Sequence, residues 1–291
     1  MKPTAYPPII IIGMHRSGTS LLTRLLEEFG VFFGIRTSRN EEAIWINRIN
    51  YWIFEQCSAT WERPEGMDTL LSSPEICEVI QDYIHGITKG PASIKYLGTA
   101  NWLRYGSMFG ISRPWGWKDP RNTYTLPLWL ALFPQSKIIH ITRHGVDVAQ
   151  SLRVRQERAC SDAIRRYQKK RWQYVNNPFA PKQSGFAHSP RTAWLDGGLQ
   201  LWKQYTSRGR EHVHELGSRA LEIRYEELLQ TPMEILPNIL EFCGLEIPSK
   251  QIRKKADDIR ADRAFAFRNK PELVEYADKV SDTLKQFGYR E

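Results

Sequence analysis

Long apolar runs are missing from this 291-residue chain. The only strongly apolar stretch near the start, Ile9 to Ile12, follows Pro7 and Pro8 and is far too short for a signal-peptide core or a membrane span, so the sequence reads as cytoplasmic. Cysteine is scarce. The four residues Cys57, Cys77, Cys160 and Cys243 lie far apart, which excludes the close pairs of a zinc site or a small disulfide framework and leaves reduced thiols as the expectation. His140 and His144 stand four residues apart, but a strand ends between them, so no metal is expected. No Gly/Ser-rich or charge-block linker divides the chain and no repeat recurs in it. One domain over residues 1–291 is expected, with a core over about 9–244 and a helical extension over 245–291. Acidic residues are outnumbered, 32 against 41 Lys and Arg, and the balance of +9 favours anionic ligands.

What is present is an alternation of short β-branched runs with helical periodicity. Ile9 to Ile12 suits a strand covered on both faces of a parallel sheet. After a turn over Gly13 to Gly18, Leu21, Leu22, Leu25, Leu26 and Phe29 recur at helical spacing until Gly30. Val31 to Phe33 reads as a second short strand, Glu41 to Gln56 as a helix, and a further helix starts at Pro74 and ends before Gly86. Trp115 to Trp117 predicts a third strand, Leu126 to Leu132 a helix, and Lys137 to Thr142 a fourth strand. A helix follows Gly145 and continues through Arg153 to Arg171, where eight basic residues face only Glu157 and Asp162. Such a run is a solvated helix face or a surface for an acidic acceptor. Thr192 to Tyr205 predicts a helix, Ala220 to Ile223 the fifth strand, and Met233 to Cys243 a helix stopped by Gly244. The class is therefore α/β, a P-loop-like central parallel sheet of about five strands flanked by helices, with helical insertions.

Gly13-Met14-His15-Arg16-Ser17-Gly18-Thr19-Ser20 has the glycine spacing of a phosphate-binding loop, in which backbone N–H groups and a helix N-terminus converge on an anion. The triphosphate version needs a lysine after the second glycine, and Thr19 stands there instead. That argues against a P-loop nucleotide kinase. Arg16, Ser17, Thr19 and Ser20 suit a less highly charged end held by hydrogen bonds, with no obligatory magnesium. A non-catalytic anion or nucleic-acid binder using Arg153 to Arg171 is the rival from another class, although no nucleic-acid partner is expected.

Three blocks resemble the superfamily of sulfotransferases that use 3′-phosphoadenosine 5′-phosphosulfate (PAPS), including its bacterial group and, more distantly, the protein-tyrosine sulfotransferases. IIIIGMHRSGTSLLTRLL is similar to the 5′-phosphosulfate loop, which implies that Arg16, Ser17, Gly18, Thr19 and Ser20 surround the 5′ end of the donor. KIIHITRHGVDVAQSLRVR is similar to the 3′-phosphate block and implies roles for Arg143 and Ser151, with Arg155 one turn further along as a third donor. The departure here is His144-Gly145, where the tyrosine enzymes have Asp-Gly. Trp117-Lys118-Asp119-Pro120 resembles the strand end whose lysine contacts the donor near the transferring group, and Arg224 to Leu228 is a softer match in which Tyr225 lies against the nucleotide or in the core.

The resemblance implies sulfuryl transfer from PAPS to a hydroxyl or amine by in-line displacement, leaving 3′,5′-ADP and using no metal. Arg16 and Lys118 are then expected to stabilise the leaving 5′-phosphate. Glu41 is chosen as the base because related enzymes carry a glutamate after the loop helix; Glu42 and His15 are the alternatives and Asp119 a weaker one. The acceptor is unidentified. Ten tryptophans, Trp45, Trp52 and Trp61 among them, give a carbohydrate a slight preference.

Overall fold

A computed structural model describes residues 6–38, 40–182 and 185–289 of the chain. In chain order come β1 (Ile9–Ile12), α1 (Thr19–Glu28), α2 (Ile44–Glu55), α3 (Gly66–Leu71), α4 (Pro74–Lys89), α5 (Ile94–Tyr105), β2 (Gly116–Lys118), α6 (Asn122–Leu132), β3 (Lys137–Thr142), α7 (Gly145–Val175), α8 (Leu195–Leu216), β4 (Ala220–Arg224), α9 (Tyr225–Gln230), α10 (Pro232–Cys243), α11 (Ser249–Asp257), α12 (Pro271–Lys279) and α13 (Ser281–Gln286). They fall into two compact units, Met1–Arg143 with Tyr205–Ala264, and His144–Gln204 with Phe265–Glu291.

The first unit is built on a wholly parallel sheet of order β2-β1-β3-β4. All four isoleucines of β1 are buried because the strand is central and covered on both faces. On one side Leu22, Leu25 and Leu26 of α1 pack with Ile139, Ile141, Leu236 and Leu240 in a single apolar cluster. The other side is aromatic: Trp115, Trp117, Trp129 and Phe133 meet at ring-centroid separations of 5.0–5.9 Å.

The sheet has four strands, not about five. Val31 to Phe33 forms only one isolated bridge, Phe32 to Trp115, because Gly30 and Gly34, both at positive φ, bracket a run too short to build a ladder. The helix expected to end before Gly86 instead passes through it to Lys89, as an isolated helical glycine costs only ~1 kcal/mol.

Between β3 and β4, paired His140 and Glu222 carry a polar network: His140 Nδ1 lies 3.0 Å from the Glu222 carboxylate, which also accepts from Arg210 at 3.0–3.2 Å. Burial opposes ionisation of Glu222, but these hydrogen bonds and charges outweigh it and bring the carboxyl down to about 2. A depressed carboxyl contributes stability above its unfolded value and loses it as pH falls through its folded one. Glu222→Gln is therefore expected to cost on the order of 3 kcal/mol in denaturant titrations at neutral pH. The difference from wild type should shrink between about pH 4.5 and about 2.

In the second unit, the Asp147 carboxylate accepts from the backbone N–H groups of Ala266 and Phe267 at 3.1 and 2.8 Å, tying the start of α7 to the C-terminal segment. His144 stacks on Phe267 at 4.3 Å and meets Tyr289 edge-on, and Trp202 packs on Phe287 at 4.8 Å. The far half of α7, beyond Glu157, is mostly exposed.

Candidate functional site

The loop between β1 and α1 leaves the carboxyl end of the sheet, where open α/β sheets place ligands. Three residues turn it: Gly13, Arg16 and Gly18 all have positive φ, at 134°, 73° and 94°. A Cβ on Gly13 would overlap the carbonyl of Ile141, and one on Gly18 would overlap the Tyr225 ring, so both glycines are needed for close approach as well as for conformation. The Gly13 N–H donates to Thr123 Oγ1 at 3.1 Å, and the Ser17 N–H donates to the Met14 carbonyl at 3.2 Å.

α1 then begins with no acidic side chain in its first turn, so its N-terminal N–H groups and dipole are not satisfied from within. Ser17 is 1% exposed, and its Oγ has no hydrogen-bond partner among the described residues. A buried hydroxyl without a partner is costly unless a ligand completes it. The loop thus fits an oxyanion. Gly18→Ala would add strain of ~1–3 kcal/mol at a left-handed position and displace Tyr225. A fall of several degrees in Tm together with loss of anion binding at the loop is expected, measured by thermal melting and calorimetry.

Arg143, just past β3, returns to this loop: its Nη1 donates to the Arg16 carbonyl at 3.2 Å, and its guanidinium lies 4.8 Å above the Tyr225 ring. Tyr225 is buried between that cation and Gly18 and so supports the loop from beneath. Ser20 Oγ donates to the Asn40 carbonyl at 2.7 Å and fastens α1 to the segment ahead of α2. Ser151 and Arg155 lie one turn apart on α7, both half-buried, in the second unit.

Lys118 ends β2 and is 1% exposed. Its ammonium donates to the Asn40 carbonyl and sits 3.4 Å from the Glu42 carboxylate. Burial lowers the Lys118 pKa, against the opposing pull of Glu42 and Asp119. Burial likewise raises that of Glu42, against the pull of Lys118. The glutamate brought to Lys118 is therefore Glu42. Glu41, at φ 58°, turns the other way and pairs with Arg24 at 3.6 Å. His15 lies edge-on to Trp61 at 4.8 Å.

A buried polar network supports this pair. Asn47 Nδ2 donates to Glu42 and Asp119, at 3.1 and 3.2 Å, and Asn50 Nδ2 donates to Asp119 and Asn122, at 3.1 and 2.7 Å. Asn50 Oδ1 accepts from Thr125 and Trp129. Asp119, wholly buried and also bound by the Arg121 N–H at 2.9 Å, orients its neighbours. Sequence reasoning passed over Asn47 and Asn50. The available signal was an i, i+3 pair of amides in a helix rich in apolar residues.

No cluster of His, Cys, Asp and Glu among the described residues could hold a metal ion, and no helix among them is long and apolar enough to cross a membrane. The chain resembles the sulfotransferase domain of the Synechococcus PCC 7002 olefin synthase, with 17% identity, 99% of this chain and 97% of that one covered, and a TM-score of 0.48. It likewise resembles the sulfotransferase domain of the curacin biosynthetic pathway, with 16% identity, 95% and 98% coverage, and a TM-score of 0.49. An uncharacterised Aquifex aeolicus protein is 26% identical over 241 residues, which are 82% of this chain, and the chain spans 25% of that relative's length. The sulfotransferase family profile matches residues 7–249, which take in the loop, Lys118, Arg143, Ser151 and Tyr225, and by that match the chain belongs to the sulfotransferase family.

Proposed function

We propose that the protein transfers a sulfuryl group from PAPS to a hydroxyl or amine of an acceptor. The observation that carries this reading is the pairing of a phosphate-type loop lacking the triphosphate lysine with a buried ammonium and carboxylate in contact, Lys118 and Glu42. Arg16, Ser17, Gly18, Thr19 and Ser20 would hold the 5′ end of the donor, and Arg143, Ser151 and Arg155 are assigned to its 3′-phosphate by resemblance. The unpartnered Ser17 hydroxyl and the open first turn of α1 support the first assignment.

In the reaction the acceptor oxygen or nitrogen bonds to sulfur as the bond from sulfur to the 5′-phosphate oxygen breaks, and the acceptor loses a proton. Charge then develops on the departing oxygen, so a fixed cation there accelerates the step. Lys118 and Arg16 are assigned that part. Glu42 takes the proton, in preference to Glu41, because its carboxylate is the one held beside Lys118 and its raised pKa suits a base. Incoming and departing atoms in a loose displacement lie only a few ångströms apart, so neighbouring groups can serve one each.

Incubation with PAPS labelled in the sulfuryl group, against cell extract and an acceptor panel, tests the reading. Label appearing on an acceptor, with 3′,5′-ADP released in equal amount, supports it. ATP with magnesium stabilising the protein while 3′,5′-ADP does nothing would overturn it.

A further inference from the structure

A cavity of about 500 Å³ opens in the first unit between α2, α4 and the start of α5, and neither the loop nor Lys118 is among its lining. Trp45, Trp52 and Tyr83 supply its aromatic walls, with the Trp52 and Tyr83 rings 4.5 Å apart and Tyr83 nearly half exposed. Arg36, Arg48 and Lys95 are its charged lining. No carboxylate lines it, and none of these three cations forms an ion pair among the described residues.

The face of α2 decides where this site stands. At 100° per residue, Trp45, Arg48 and Trp52 share one side of the helix, and Asn47 and Asn50, which bind Asp119, share the opposite side. The body of α2 therefore separates the cavity from the Lys118–Glu42 pair. Three like charges around one hollow repel each other unless an anion joins them. Partly buried indole faces and the more exposed Tyr83 ring accept the apolar face of a ring, and arginine forks match carboxylate or sulfate.

We propose that this cavity is a second ligand site, taking an anionic group carried on a ring that presents an apolar face. The volume suits a ligand of one or two rings. An acidic sugar and an aryl carboxylate share that chemistry. The site goes beyond the transfer reaction and does not depend on it.

Calorimetry and tryptophan fluorescence with a sulfated uronic-acid disaccharide and with naphthoate test it, lactose and naphthalenemethanol serving as uncharged counterparts. The expected result is a Kd below about 1 mM for at least one charged probe, with its neutral counterpart at least about tenfold weaker. Which charged probe binds identifies the source of the anion. Arg48→Ala with Lys95→Ala, both changes at exposed side chains, should weaken that probe at least about tenfold while leaving 3′,5′-ADP affinity unchanged. The proposal is overturned if neither charged probe binds below about 1 mM, or if the double variant keeps wild-type affinity. Failure of 3′,5′-ADP to bind, with the charged probe still bound, would count against the transfer reaction alone.

Discussion

Lys118→Ala should lower sulfuryl-transfer turnover by about a hundredfold or more, with a much smaller change in affinity for 3′,5′-ADP. The ammonium sits at the end of β2, the edge strand beside β1, almost without solvent, and is held by the Asn40 carbonyl and Glu42. A fixed cation in such a place is worth far more to charge developing in a transition state than one in water. Single-turnover rates measured beside product affinity separate the two effects. Equal losses in both would assign Lys118 to binding alone. The variant has a second signature: without the Lys118 charge and hydrogen bond, burial and the neighbouring Asp119 raise the Glu42 pKa further, opposed only by Arg121. The acid limb of the residual rate should therefore move to higher pH.

Glu42→Gln should lower turnover by about 100- to 10,000-fold, the span typical of a removed general base. Burial places the carboxyl above its usual range, and the base works only when ionised. Wild-type kcat/KM should accordingly rise with pH through a value above the ordinary ~4.3 of glutamate and then level off. Glu42→Gln should lose that rise. Glu41→Gln, which breaks only the half-exposed contact with Arg24, should keep both the rate and the pH profile. The opposite pattern, with Glu41→Gln inactive and Glu42→Gln near normal, would return the base to Glu41.

The two glutamates show where sequence reading stops. β1, β3 and the loop between β1 and α1 were legible because four consecutive β-branched residues, a run ending in Thr142 and two spaced glycines are local signals. The direction of Glu41 and Glu42 depends on one left-handed residue, Glu41 itself, and on Ser38 Oγ accepting from the N–H groups of Asn40 and Glu42. No periodicity encodes such a turn. The same holds for Tyr225: the sequence left it between nucleotide and core, and its place under Gly18 follows from β4 pairing with β3 across the sheet. The second of the five expected strands failed for a related reason. Val31 to Phe33 has strand composition, but its glycine brackets decide the backbone.

The central claim, that the loop opening at Gly13 grips a sulfo-bearing nucleotide, is tested most directly by calorimetry with 3′,5′-ADP, without and with magnesium. The account predicts saturable binding that is indifferent to magnesium and at least about tenfold weaker in Arg143→Ala. No heat from 3′,5′-ADP at millimolar concentration, with magnesium ATP binding in its place, would contradict it.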